Sequence, residues 1–338
     1  MNRALIVSLK PLEPIKSGFQ NTVFLLAKEL KKHFALWFIC EENENLIDPV
    51  FNLSYSKAFE QKLKNIILEL SPDYIFVNTT KLLHIYKDIF FYSQSRLVLI
   101  CHDLYSFRYQ YFKSIRQQDK TPLKKSEEID ALKLADFIID FSPEEKTFLI
   151  KNKIEKKKLI ETMTPISINE HNYDNDREFD YFFIGSKWSQ NSSSLKFFFK
   201  KYKTFFASRM ILIVGLESPI KTNNFVSFDR LRKNHYKSAK IGLAPIFFGT
   251  GRNVKIFDMM ANGLPVITNK DLSKYGLRNG TEYILVNKSD SWADNLGSLE
   301  SNNKKRNEIS FNGWKWVKAN CSGEVVFGTL ISKLKFQL

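Results

Sequence analysis

The sequence predicts an α/β fold of two Rossmann-like halves facing each other across a cleft. Three observations predict it. The length of 338 residues is about two domains' worth, taking ~150 residues as one domain. Short β-branched and aromatic runs alternate with helical patterns, as in parallel sheets with crossover helices. One polar stretch interrupts this alternation near the middle, and the same pattern then starts again.

In the first half, strands are expected at Leu5–Leu9, Phe34–Cys40, Tyr74–Val77, Leu97–Cys101 and Phe137–Phe141. Val23, Phe24, Ala27 and Leu30 recur at helical spacing, so a helix from about Asn21 to Lys32 buries one stripe. Ser142 offers a capping hydroxyl, Pro143 takes the first helical position and Glu145 falls three residues after the cap, so a helix starts directly behind the fifth strand. From Thr164 to Asp180 the apolar pattern stops, and this stretch reads as a linker. Strands resume at Tyr181–Ile184, Met210–Val214, Ile241–Ala244, Pro265–Thr268 and Tyr283–Val286. The tail carries Trp314, Trp316, Val317, Val325, Val326, Leu330, Ile331 and Leu334 on one or two amphipathic helices. The expected division is 1–165, 166–312 and a tail at 313–338. No fixed-period repeat occurs, which excludes solenoids and propellers.

Hydrophobic residues at 43% and charged residues at 26% exclude disordered, collagen-like and coiled-coil classes. Lys and Arg exceed Asp and Glu by 51 to 36, a net charge of +15. Such a field attracts nucleic acid, an anionic membrane surface or phosphorylated small molecules, or serves only for solubility. Cys40, Cys101 and Cys321 are odd in number, far apart and without a CxxC pair, so neither a disulfide framework nor a zinc site is expected. The N-terminus runs straight into a strand without a signal-like stretch, and runs such as Ala35–Cys40 fall short of the ~18 residues of a membrane span. A cytoplasmic protein is expected, with peripheral contact to an anionic membrane surface left open.

The chemistry concentrates between Ile241 and Thr268. A strand enters Gly249-Thr250-Gly251, and a helix follows that ends where Gly263 takes a left-handed cap and Pro265 forbids continuation. Strand, glycine loop and helix N-terminus make an anion site, because backbone N–H groups point outward and glycine lets a phosphate approach. Arg252 and Lys255 then break a local rule: cations in a first helical turn are unfavourable by about 0.3–1 kcal/mol each. A bound polyanion reverses that sign. Asp258 shares a helix face with Lys255, either as a surface ion pair of about 0.3–0.5 kcal/mol or as an acceptor for a ribose hydroxyl.

His102 and Asp103 fall at the carboxyl end of a predicted strand, where open α/β sheets bind ligands. The run from Tyr105 to Arg116 interleaves aromatics with cations, and reads either as an ordinary helix with core contacts or as a patch for a membrane-linked acceptor. Asp174-Asn175-Asp176 matches the string of metal-dependent transferases but lies in the linker, so no metal is expected.

The glycine loop, Lys255, Asp258 and the Met260-Ala261-Asn262-Gly263-Leu264-Pro265-Val266 stretch together resemble the nucleotide-sugar segment of group-1, family-4-like glycosyltransferases of the GT-B fold. Ser17-Gly18 before the first helix, His102-Asp103, the strand Ala135–Phe141 followed by Ser142, and Phe183-Ile184-Gly185-Ser186 with Asn191 extend the likeness over most of the chain. The resemblance implies a second domain that holds a nucleoside-diphosphate sugar, a first domain for a saccharide or lipid-linked acceptor, and a final helix that crosses back. It implies retaining hexosyl or deoxyhexosyl transfer in polysaccharide biosynthesis, with no cofactor beyond the nucleotide-sugar substrate. His102, Arg252 and Lys255 would be catalytic; Gly18, Gly185, Lys187, Gly249, Thr250, Gly251, Asn253 and Asp258 would bind the donor. Thr250 stands where the family carries a first glutamate and Asp258 where it carries a second, while Lys187 and Asn191 replace a basic pair. A catalytically silent nucleotide-sugar-binding homologue is the first alternative. A GT-B epimerase or phosphorylase is a related alternative, the phosphorylase weakened because no lysine context for a pyridoxal cofactor stands out. A nucleic-acid-binding protein is a further one, but zinc-finger, RNP and reading-helix motifs are missing, so no nucleic-acid partner is expected.

Overall fold

A computed structural model describes residues 2–13, 18–41, 55–102, 104–114, 123–174, 176–185, 189–218, 223–247, 254–287 and 291–335. They form two six-stranded sheets, both entirely parallel in their pairings. In the first, β1 (Arg3–Ser8), β2 (Ala35–Cys40), β3 (Tyr74–Asn78), β4 (Arg96–Cys101), β5 (Phe137–Asp140) and β6 (Leu159–Glu161) take the order β2-β1-β3-β4-β5-β6. In the second, β7 (Phe179–Ile184), β8 (Ile211–Val214), β9 (Phe225–Phe228), β10 (Ala239–Ala244), β11 (Val266–Thr268) and β12 (Ile284–Leu285) take the order β12-β11-β10-β7-β8-β9.

Parallel sheets need helices on both faces, so their strands read as unbroken apolar runs. Successive residues then serve opposite layers. Leu5, Val7, Ile75, Val77, Leu97 and Leu99 enter one core, while Ala4, Ile6, Tyr74, Phe76, Val98 and Ile100 enter the other. In the second unit the many phenylalanines build an aromatic core around Phe198, whose ring centroid lies 4.7 Å from Trp292 and 5.5 Å from Phe206.

Each sheet has one place where the winding reverses, between β1 and β3 in the first and between β7 and β10 in the second. At such a point helices leave in opposite directions, and open α/β sheets bind ligands outside the carboxyl ends of the strands there.

Several expectations are met and some corrected. Ser142 caps the helix Pro143–Lys151, accepting from the Glu145 N–H at 3.5 Å, with Pro143 at its start. β6 and β9 were not anticipated. Both are short edge strands, and β9 is half-exposed, so neither shows a continuous apolar run. The polar stretch ends sooner than Asp180, because β7 begins at Phe179. Its polar side chains bond to the second unit: Tyr173 donates to the Lys240 carbonyl at 2.8 Å and Arg177 to the Ala239 carbonyl at 2.8 Å.

The chain divides into residues 1–165 with 323–338, and residues 166–322. The return at Gly323 falls later than the expected 313. The helix Asn303–Cys321 stays with the second unit because Trp314 donates to the Asn169 carbonyl at 2.8 Å and Val317 and Cys321 are buried. The helix Gly323–Lys335 then places Val326, Phe327, Leu330, Ile331 and Leu334 in the first unit's core. All three cysteines are buried, and none forms a disulfide among the described residues. Among the described residues no helix is long and apolar enough to cross a membrane.

Candidate functional site

At the switch point of the second sheet, β7 runs into Gly185. A Cβ there would lie 3.1 Å from the Phe183 ring and 3.2 Å from Asn191 Cβ. Glycine therefore lets Asn191, on the helix Ser189–Lys201, close onto the strand end. Lys255 arrives from the other side, on the helix Val254–Ala261 behind β10. Its Nζ donates to Asn191 Oδ1 at 2.8 Å and stands 4.9 Å from the centre of the Phe183 ring. One cation is thus held across the switch point by an amide oxygen and an aromatic face, neither of which carries a negative charge.

Burial drives the electrostatics. It pushes Lys255 down from 10.5 to about 8 and Asp258, one turn further along, up from 3.8 to about 7. The Asp258 charge also adds to the upward push that burial gives Tyr236. No ion pair links Lys255 and Asp258, which corrects the surface-pair reading of their spacing. Both are partly buried charges on one helix face, each the other's neighbour but not its partner.

The frame around them is fixed. Gly242 leaves room for Met259, whose sulfur would lie 2.8 Å from an added Cβ, so the helix packs closely on β10. Gly263 takes φ +71° and donates to the Met260 carbonyl at 2.9 Å, and Leu264 donates to Met259 at 2.9 Å, which gives the expected left-handed cap before Pro265. Pro245 ends β10 by removing an N–H. Beyond it the Asn269 side chain takes over as a rung: Oδ1 accepts from the Ile246 N–H at 2.7 Å and Nδ2 donates to the Ile246 carbonyl at 2.9 Å. Gly249, Thr250, Gly251, Arg252, Asn253 and Lys187 lie outside the described residues.

In the first unit, Gly18 is the first residue of the helix Gly18–Leu30 behind β1. His102 follows β4, and its Nε2 lies 2.7 Å from Asn78 Oδ1. Asn78, fully buried at the end of β3, donates through Nδ2 to Ser8 Oγ at 2.9 Å, across the switch point between β1 and β3. Next to it Thr79 has φ +94°, a backbone state that costs a non-glycine residue about 1–3 kcal/mol. Asp103 is outside the described residues. The amides beyond it are held by two buried carboxylates. Glu145 accepts from the Leu104 N–H at 3.2 Å, and Glu128 accepts from Tyr105 and Ser106 at 2.7 and 2.8 Å. They complement the positive end of the helix Tyr105–Ser114. On that helix Phe107 packs on the Phe148 ring, 5.8 Å between centroids, which favours the core reading for this face.

Asp174 and Asp176 are both exposed, and Asp176 donates its N–H to Asp174 Oδ1 at 3.0 Å. No cluster of metal-ligating side chains occurs among the described residues. A groove at the opposite, amino end of the second sheet is lined by Asp180, Arg209, Lys240, Glu300 and Arg306. Four of its charges pair with one another, Lys240 with Asp180 at 2.9 Å and Arg209 with Glu300 at 2.7 Å, and Arg306 donates to the Leu299 carbonyl at 2.8 Å.

Asn78, Glu128 and Asn269 were missed in the sequence, while Glu145 was read only as part of a helix start and Phe183 only as part of a strand. A polar residue closing an apolar strand, as at Asn78 and Asn269, was the available signal.

The fold is that of the GT-B glycosyltransferases, two Rossmann-like domains in one chain. Sucrose-phosphate synthase from Thermosynechococcus elongatus is similar at 14% identity and TM-score 0.77, over 100% of both chains. Anabaena HepE, solved with UDP-glucose, is similar at 14% identity and TM-score 0.65, over 98% of this chain and 99% of that one. The lipopolysaccharide outer core galactosyltransferase WaaB is similar at 12% identity and TM-score 0.63, over 99% and 100%. No protein-family model matches the chain, and no curated protein matches it by sequence.

Proposed function

We propose that the protein transfers a hexosyl or deoxyhexosyl group from a nucleoside-diphosphate sugar to a saccharide or lipid-linked acceptor, with retention and without a metal ion. The observation that carries this reading is Lys255, a partly buried cation at a sheet switch point whose partners among the described residues are neutral. With no anion beside it among the described residues, this cation suits an anionic ligand that comes and goes. HepE binding UDP-glucose supports the choice of ligand class.

Cleavage of the glycosidic bond to a diphosphate builds negative charge on the leaving oxygen, and catalysis needs preorganised positive groups at that place. Lys255 supplies one. Arg252, Lys187 and the N–H groups of Gly249 to Asn253 are assigned to the same charge, with Gly185 opening the approach. Asp258 is assigned to the ribose, Thr250 and Gly18 to donor binding, and His102 to the transferred sugar. Polysaccharide synthesis at an anionic membrane surface is the setting proposed for such an acceptor.

Calorimetric titration with UDP, GDP and duplex DNA, followed by turnover assays on a panel of nucleotide sugars, tests the reading. A nucleoside diphosphate is expected to bind, and Lys255→Ala to weaken it by about 10-fold or more. DNA binding without nucleotide heat overturns the proposal, and nucleotide binding without turnover on any acceptor replaces it with a silent homologue. Proton NMR of the product's anomeric signal decides retention.

A further inference from the structure

We propose that Asn78 is the positioning residue for His102: its side-chain oxygen fixes the imidazole plane and holds the tautomer with the proton on Nε2, so that the two act on the transferred sugar as one unit. What the pair acts on rests on the glycosyl-transfer reading above; the coupling between the two side chains does not.

An asparagine at full burial in a strand flanked by apolar layers is unfavourable unless its amide is bonded, and an aliphatic residue would fill the same space. Asn78 has both ends engaged, with Nδ2 on Ser8 Oγ at 2.9 Å and Oδ1 facing His102 Nε2 at 2.7 Å. Because Nδ2 is directed to Ser8, the end turned to the imidazole is an acceptor, which selects the nitrogen that carries the proton. The Ser8–Asn78 bond crosses the switch point of the first sheet, where ligands of such sheets enter.

His102 is constrained from its backbone as well. Leu104, Tyr105 and Ser106 donate their amides to Glu145 and Glu128, so the chain just past the histidine is pinned to two further helices. Thr79 at φ +94° marks where β3 turns sharply immediately after Asn78. Strain of this kind persists where the surroundings over-determine a geometry. Ring nitrogen, following backbone and the strand end behind Asn78 are each fixed by a different element, which is more than packing of a histidine requires.

The test combines tautomer and kinetics in the full chain. With 15N-labelled histidine, long-range proton–nitrogen spectra of the wild type are expected to show His102 as the Nε2–H form, and Asn78→Ala to lose that preference. Asn78→Ala is expected to lower kcat by about 10- to 100-fold, with UDP affinity changed by less than about twofold. His102→Ala should lose as much, and the double variant no more than either single one. Asn78→Asp keeps an acceptor oxygen and should keep the tautomer and recover most of the loss. An Nδ1–H form in the wild type, an unchanged tautomer in Asn78→Ala, or losses that multiply in the double variant would each overturn the proposal. If no nucleotide sugar is turned over at all, the glycosyl-transfer reading fails, and the tautomer spectra alone decide the Asn78–His102 coupling.

Discussion

Lys255 and Asp258 are charged groups in surroundings that disfavour charge, and the direction of each shift makes a stability statement. Lys255 is held at about 8 against an ordinary 10.5, so the cost of keeping it charged is present below about pH 8 and gone above its ordinary value. Asp258 is held at about 7 against 3.8, so its cost is absent at acid pH and complete above about 7. Both costs coincide near neutrality. Asp258→Asn is therefore expected to stabilise the protein at pH 7.5 by on the order of 2 kcal/mol, read as a higher Tm, while weakening nucleotide binding. A lower Tm for that variant would contradict it. Under the proposed function the same groups set a pH window: affinity for a nucleoside diphosphate should fall below about pH 7 as Asp258 takes a proton and above about pH 8 as Lys255 loses one. Calorimetry across this range checks it. Asp258→Asn should flatten the acid limb and Lys255→Met the alkaline limb, each relative to the wild type.

At the scale of elements, Gly185 and the helix Tyr105–Ser114 show how packing serves the site. Adding a methyl group at Gly185 puts it 3.1–3.2 Å from Phe183 and Asn191, the two groups that hold Lys255. Gly185→Ala is expected to weaken UDP binding by about 10-fold with a stability loss of only about 1 kcal/mol; a loss confined to stability would detach Gly185 from the site. Glu128→Gln keeps the shape but turns an NH2 toward one of two helix amides, so urea unfolding should show a loss of about 1–3 kcal/mol. The central strands were legible because residues buried on both faces leave an apolar run, as in Ala4–Val7 and Tyr74–Val77. β6 and β9 were not, since an edge strand buries less and tolerates Glu161 and Ser227. The cap at Gly263 was legible because it depends on neighbours in sequence. The Lys255–Asn191 bond spans 64 positions and Asn78–His102 spans 24, and such meetings follow from sheet order rather than from local pattern.

At the scale of the whole molecule, the chain closes its first unit with its last helix. Val326, Phe327, Leu330, Ile331 and Leu334 fill the same layer as Ala4, Ile6, Phe76 and Ile100, and Tyr74 donates its hydroxyl to the Leu334 carbonyl at 2.7 Å. Thr162 adds a bond to the Val326 carbonyl at 3.0 Å. Burying five such side chains is worth about 2 kcal/mol each, a sum comparable with the ~5–15 kcal/mol that holds a domain folded. Removing residues 323–338 is therefore expected to unfold the first unit although its first 165 residues are intact. The second unit ends at Ser322 and has its own aromatic core, so it should stay protected. Hydrogen exchange read by mass spectrometry separates the two: loss of protection at β1, β3 and β4 with retention at β7, β8 and β10 is the expected pattern. Under the proposed function the shortened chain should bind UDP much as the full chain does, since Lys255, Asn191 and Asp258 all lie in the second unit, and should lack turnover, since His102 and Asn78 lie in the first. Loss of UDP binding together with protection at β7 and β10 would mean instead that the last helix is needed to complete the nucleotide site itself.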